Sequence, residues 1–202
     1  MYSPSCDVAV CIVKKASTCP ITRIIAEYYW SKTVIDSEFT HQLENFIAGT
    51  RRIAILGIGN DLRTDDGLGP FIVSNLSIKH PDVFIENVGS VPEAFARPLA
   101  EFGAERVIMI DAADMRKSVG HIELVTKDRI GGIAISTHSM PLSFLMQYLE
   151  DSTNGKTILL GVQPQSIQFG EGLTPIVDDI ARKLISTIDS ILETYLRGKD
   201  DV

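Results

Sequence analysis

The chain has 202 residues, 45% of them hydrophobic and 22% charged, and a net charge of −7. That length and composition suit one globular domain with a sizeable core, and the acidic balance argues against a nucleic-acid partner, which calls for a basic face. No apolar run is long enough to span a bilayer, and the N-terminus lacks the basic start, apolar core and cleavage site of a secretory signal, so a cytoplasmic location without membrane insertion is expected.

Residues 1–35 differ from the rest. Pro4, Pro20 and scattered polar residues show no period, and Ile21 to Trp30 reads as a short helix ending in the cluster Tyr28-Tyr29-Trp30. The segment is read as a loosely ordered extension, with a docking arm as the alternative. Cys6, Cys11 and Cys19 all lie in it. Their odd number argues against a disulfide framework, their spacing matches no zinc pattern, and free thiols are expected.

Residues 36–202 read as one domain. Asp36 to Ala48 has helical spacing, with Phe39, Leu43, Phe46 and Ile47 on one face. Ile53 to Ile58 is continuously apolar, as a strand buried on both faces should be. A glycine turn follows, then a helix from about Gly67 to Ile78. Val83 to Val88 is the next strand, and Pro92 opens a helix through about Phe102. Arg106 to Asp111 is a strand ending on a carboxylate, and His121 to Val125 alternates like an edge strand. Pro141 to Glu150 is a helix, Thr157 to Val162 a strand, and an amphipathic helix runs from about Pro175 to Arg197. Strands alternating with helices predict an α/β fold: a three-layer sandwich in which helices cover both faces of a largely parallel, twisted sheet.

Three polar residues should meet at the carboxyl edge of that sheet. Asp66 lies at the turn after the first strand, Asp111 ends the third, and His138 lies in Ser136-Thr-His-Ser139 just before a helix. Two carboxylates and an imidazole can bind a divalent metal and leave positions open for water or substrate. Each residue also has a plain structural reading. Asp65 or Asp66 can cap the helix that follows, Asp111 can bond the next turn, and His138 can be a satisfied loop histidine. Other chemistry finds no support. Gly57-Ile-Gly59-Asn-Asp-Leu62 lacks the third glycine of a dinucleotide fingerprint, and there is no P-loop, Gly-x-Ser-x-Gly elbow or His-Glu-x-x-His helix.

The stretch Gly57-Ile-Gly59-Asn60-Asp-Leu62-Arg-Thr-Asp65-Asp66-Gly67-Leu-Gly69 resembles the signature of the nickel–iron hydrogenase maturation endopeptidases. Four further stretches follow in the family's order: Val91-Pro92-Glu93, Ile110-Asp111-Ala112, Ser136-Thr137-His138, and Gly161-Val-Gln163-Pro164 with Phe169-Gly-Glu-Gly-Leu-Thr174. The likeness runs from about Phe39 to Tyr195 and is nearest to the archaeal-type branch. It implies an endopeptidase that removes the C-terminal extension of a hydrogenase large-subunit precursor after nickel has been inserted. The cut falls after the His or Arg that follows the last metal-binding cysteine motif. It also implies that Asp66, Asp111 and His138 are the metal-contacting positions.

On that reading the nickel is carried by the substrate, and no tightly bound cofactor of the protein's own is expected. Asp66 or Asp111 serves as base, with Glu93 a weaker candidate. Asn60 either donates a hydrogen bond to a substrate carbonyl or bonds within its own turn. The rivals are a non-cleaving, nickel-sensing maturation chaperone and a self-contained metallohydrolase.

Overall fold

Among the described residues five strands form one sheet, in the order β2-β1-β3-β5-β4. They are β1 (Ile53–Ile58), β2 (Val83–Gly89), β3 (Arg106–Ala112), β4 (Ile122–Val125) and β5 (Lys156–Val162). This computed structural model describes residues 35, 37–132 and 141–200, which lie within the compact unit Ile35–Val202. The expected helix at Ile21 to Trp30, the three cysteines and His138 lie outside the described residues.

β1, β2, β3 and β5 are mutually parallel, and β4 runs antiparallel to β5 at the edge. The centre of the sheet is buried on both faces: every residue of β1 is buried, and so is all of β3 after Arg106. That burial is why these strands read as unbroken apolar runs. Two cores result. On one face Ile53, Ile55, Ile108, Ile110, Ile158 and Leu160 pack under helices α1 (Ser37–Ile47), α2 (Leu68–Asn75) and α5 (Pro175–Asp200). On the other face Ala54, Leu56, Val107, Met109 and Leu159 pack under α3 (Ala96–Phe102) and α4 (Leu142–Thr153). The sheet with helices on both faces is the expected α/β sandwich.

The helices follow their sequence patterns, with differences at the ends. Phe39, Leu43 and Ile47 of α1 are buried at four-residue spacing. Helix α2 begins later and stops earlier than its apolar pattern suggests. Thr64–Gly67 forms a 3-10 turn first, and Leu76 leaves the helix in an extended conformation. Ser77 is then held by Asp189 of α5, with its hydroxyl donating at 2.8 Å. Pro92–Phe95 is likewise a 3-10 turn ahead of α3. Lys127–Gly132, not foreseen from the sequence, is a third. Among the described residues no helix is long and apolar enough to cross a membrane.

The topology sets where a site can form. The connection after β1 leads to β2 on one side, and the next leads over β1 to β3 on the other. The chain therefore changes direction between β1 and β3, and in open α/β sheets the crevice at the carboxyl ends of two such strands is where ligands bind.

Candidate active site

Asp66 and Asp111 flank that crevice. Asp111 belongs to the last turn of β3 and is 1% exposed. Asp66 lies in the Thr64–Gly67 turn that follows β1, is 2% exposed, and belongs to an element that packs against β3. Sealing a carboxylate this thoroughly is costly, so two of them at one sheet edge is an arrangement that core packing alone does not favour.

Close backbone packing brings the two elements together. A Cβ on Gly69 would overlap the carbonyl oxygens of both Ile58 and Ile110. The start of α2 therefore lies directly on the ends of β1 and β3, which only glycine permits. Asp66 stands three residues before Gly69, and Asp111 follows Ile110, so the same contact brings the main chain of both residues to the ends of β1 and β3.

The turn between β1 and Asp66 is a closed ring. Gly59, at φ +136°, carries the chain under the carbonyl of Asp66, where a side chain would collide. The Asn60 N–H donates to Asp66 O at 3.1 Å, Arg63 N–H to Asn60 O at 3.0 Å, and Asp66 N–H to Arg63 O at 3.0 Å. The Asn60 side chain joins the ring: its Oδ1 accepts the Leu62 N–H at 3.0 Å. Asn60 does bond within its own turn.

The adjacent pair Asp65-Asp66 was open to a capping reading, and neither residue caps. The 3-10 turn and α2 both lack a side-chain cap. Asp65 is fully buried and does something else. Its carboxylate accepts the backbone N–H groups of Gln165 at 2.8 Å, Ser166 at 3.0 Å and Thr174 at 2.7 Å, and the Thr174 hydroxyl at 3.0 Å. It thereby ties the loop after β5 to the turn after β1. The backbones add to the seam: Asp65 N–H donates to Ser166 O, Thr64 N–H to Gly170 O, and Gly170 N–H to Leu62 O. The Thr64 hydroxyl donates to Ser166 O at 2.6 Å. On the outer rim Leu62 and Phe169 remain exposed, and the Arg63 guanidinium stacks over the Phe169 ring at 5.0 Å.

A second clamp lies beyond Asp111. Gln163, buried at the end of β5, accepts the N–H groups of Met115 at 2.8 Å and Lys117 at 3.2 Å through Oε1. Its Nε2 donates to Asp114 at 3.2 Å. The Arg116 N–H, followed by this Gln163 amide, holds the Asp114 carboxyl below the usual range. The loop leaving β3 is thus pinned to β5.

Sequence reasoning did not find the roles of Asp65 and Gln163. Their partners are dozens of positions away, so no local pattern announces them; the only signal was their place in recurring stretches. Glu93 sits in the Pro92–Phe95 turn, half-buried. Among the described residues no group of three or more His, Cys, Asp or Glu side chains is placed to hold a metal ion. The third candidate of the sequence reading, His138, lies outside them.

Comparison with known proteins agrees with this architecture. The family model described as hydrogenase maturation protease matches residues 72–191. A putative hydrogenase maturation protease of Methanocaldococcus jannaschii is 33% identical over 74% of this chain and 93% of its own length. The hydrogenase 3 maturation protease of Escherichia coli is 30% identical over 67% of this chain and 87% of its own. The crystal structure of a nickel–iron hydrogenase maturation protease from Thermococcus kodakarensis superposes with a TM-score of 0.70 at 33% identity, covering 75% of this chain and 99% of that one.

Proposed function

The chain belongs to the hydrogenase maturation protease family, a family of endopeptidases, and from that premise we propose that it removes the C-terminal extension of a nickel-loaded nickel–iron hydrogenase large-subunit precursor. The observation that supports this reading is the pair of buried carboxylates, Asp66 in the turn after β1 and Asp111 at the end of β3, at one edge of the sheet. A peptide hydrolase needs a group to take a proton from water and a feature that selects one bond, and two carboxylates at a ligand-binding edge can divide these tasks.

In this proposal Asp66, Asp111 and His138 contact nickel already held by the precursor, so that only a loaded subunit docks productively. The protein carries no tightly bound metal of its own, and the reaction takes place in the cytoplasm. One of the two carboxylates accepts a proton from water. The water oxygen adds to the scissile carbonyl carbon, the carbon–nitrogen bond breaks, and that proton passes to the departing amine nitrogen. Burial in the crevice strengthens each electrostatic contact made there.

The test is a processing assay read by mass spectrometry, with purified protein and its cognate precursor in nickel-loaded and nickel-free forms. A single C-terminal cut in the loaded sample alone is expected. Cutting in both samples would remove nickel from recognition. Binding without cutting would support the chaperone, and turnover of unrelated peptides by metal-bearing protein would support a self-contained metallohydrolase.

A further inference from the structure

The ring after β1 contains a donor that it does not use. The Leu62 N–H requires an acceptor, and the atom that meets it, at 3.0 Å, must be the Asn60 amide oxygen, because the amide nitrogen has no lone pair to accept with. That contact fixes the orientation of the amide, and none of the bonds that close the ring takes its NH2 group. The Asn60 main chain is equally fixed: its N–H holds Asp66 O and its C=O holds the Arg63 N–H. Asn60 is half-buried, at the mouth of the crevice, where Leu62 is exposed and Asp66 is sealed. A half-buried amide locked through its oxygen is a preorganised N–H donor, and preorganised donors gain strength where charge develops in a transition state.

We propose that Asn60 is a catalytic residue whose Nδ2 donates a hydrogen bond to the scissile carbonyl oxygen of the substrate as that oxygen becomes negative. The main-chain bond from Asn60 to Asp66 sets the spacing between this donor and the carboxylate, so one rigid turn presents both. The inference rests on the endopeptidase reading above. It gives Asn60 both of the roles open to it in the sequence: the oxygen serves the turn, and the nitrogen would serve the substrate.

Two variants separate these roles. Asn60→Ser keeps a short side-chain acceptor for the Leu62 N–H, as serine does in such turns, but loses the NH2. Asn60→Asp keeps a stronger acceptor and replaces the donor with an oxygen. Each is compared with the unaltered protein for single-turnover cleavage of the nickel-loaded precursor, for precursor affinity, and for hydrogen exchange at the Leu62 amide. Both variants are expected to keep slow exchange at Leu62 and to bind the precursor within about threefold, while cleavage falls by about 10²–10³. Should Asn60→Ser speed exchange at Leu62, Asn60→Asp decides.

Cleavage within about tenfold of the unaltered protein by a variant that keeps the turn overturns the assignment, since a lost oxyanion donor costs more than that. Failure of the unaltered protein to cut the loaded precursor overturns the endopeptidase reading, and the role of Asn60 with it. The two failures are told apart by the unaltered control.

Discussion

Asp65 Oδ1 accepts the backbone N–H of Thr174 at 2.7 Å, across 109 positions of sequence. With the three further bonds made by the same carboxylate, it joins the turn carrying Asp66 to the loop that leaves β5. Asp65→Ala leaves three backbone N–H groups without their acceptor. Unmet donors in such sites cost about 1–3 kcal/mol each when they stay buried. A loss of about 3 kcal/mol in all is expected, read as a fall in Tm of roughly 6–12 °C. Amide exchange should rise first at Gln165, Ser166 and Thr174. Unchanged exchange at those three amides would show that the loop is held by its backbone seam alone.

The crevice carboxylates are tested by isosteric substitution. Asp111→Asn and Asp66→Asn keep the shape of each buried side chain and remove its charge. Processing of the loaded precursor should fall below detection. His138→Ala is expected to abolish processing without unfolding the protein. A correctly processing His138→Ala variant would end its proposed role.

Gly69→Ala tests how tightly the two strand ends and α2 must meet. The added Cβ would overlap backbone oxygens of Ile58 and Ile110, which cannot swing aside as side chains do. A loss of about 1–3 kcal/mol or more is expected, accompanied by loss of processing, because the helix start must lift away from both strands. Denaturant unfolding measures the first effect and the precursor assay the second.

Glu150 offers a pH test far from the crevice. It accepts the Thr157 N–H at 2.9 Å and hydroxyl at 3.1 Å, and it pairs with Lys127 at 2.6 Å. Burial pushes its carboxyl up, but the Lys127 bond and the two Thr157 bonds outweigh this and leave it below its ordinary value of 4.5. A carboxylate with a lowered folded pKa binds fewer protons folded than unfolded, so it adds stability above the unfolded pKa and loses it as pH falls through the folded one. Lys127 is 30% exposed, against 8% for Glu150, so solvent screens much of the ion pair. The Lys127 bond and the two Thr157 bonds share the effect. Glu150→Gln should be less stable than the unaltered protein at pH 7, and the gap should narrow as pH drops below about 4.5. A gap that does not change with pH would show that ionisation of Glu150 contributes nothing.

Much of the fold was legible because burial writes itself into local pattern. Ile53–Ile58 and Arg106–Ala112 lie at the centre of the sheet, apolar on both faces, and their runs announced it. The four-residue spacing of Phe39, Leu43 and Ile47 announced α1. The helix read from Gly67 to Ile78 was drawn too long at its C-terminus. The chain turns extended at Leu76, and Ser77 is then held by Asp189 from the far end of the chain. Asp65 was read as a possible cap for the same reason. Its partners at 165, 166 and 174 lie beyond any local window.

By itself the sequence determined the strands and helices, the largely parallel sandwich they form, and the places of Asp66 in the turn after β1 and Asp111 at the end of β3, because hydrophobic period and turn chemistry are properties of short segments. Only the tertiary structure decided that Asp65 is a clamp and not a cap, and that the oxygen of Asn60 belongs to its own turn. Those outcomes depend on which backbone N–H groups arrive beside a given carboxylate or amide. That is settled when β1, β3 and β5 pair and bring their following loops to one edge.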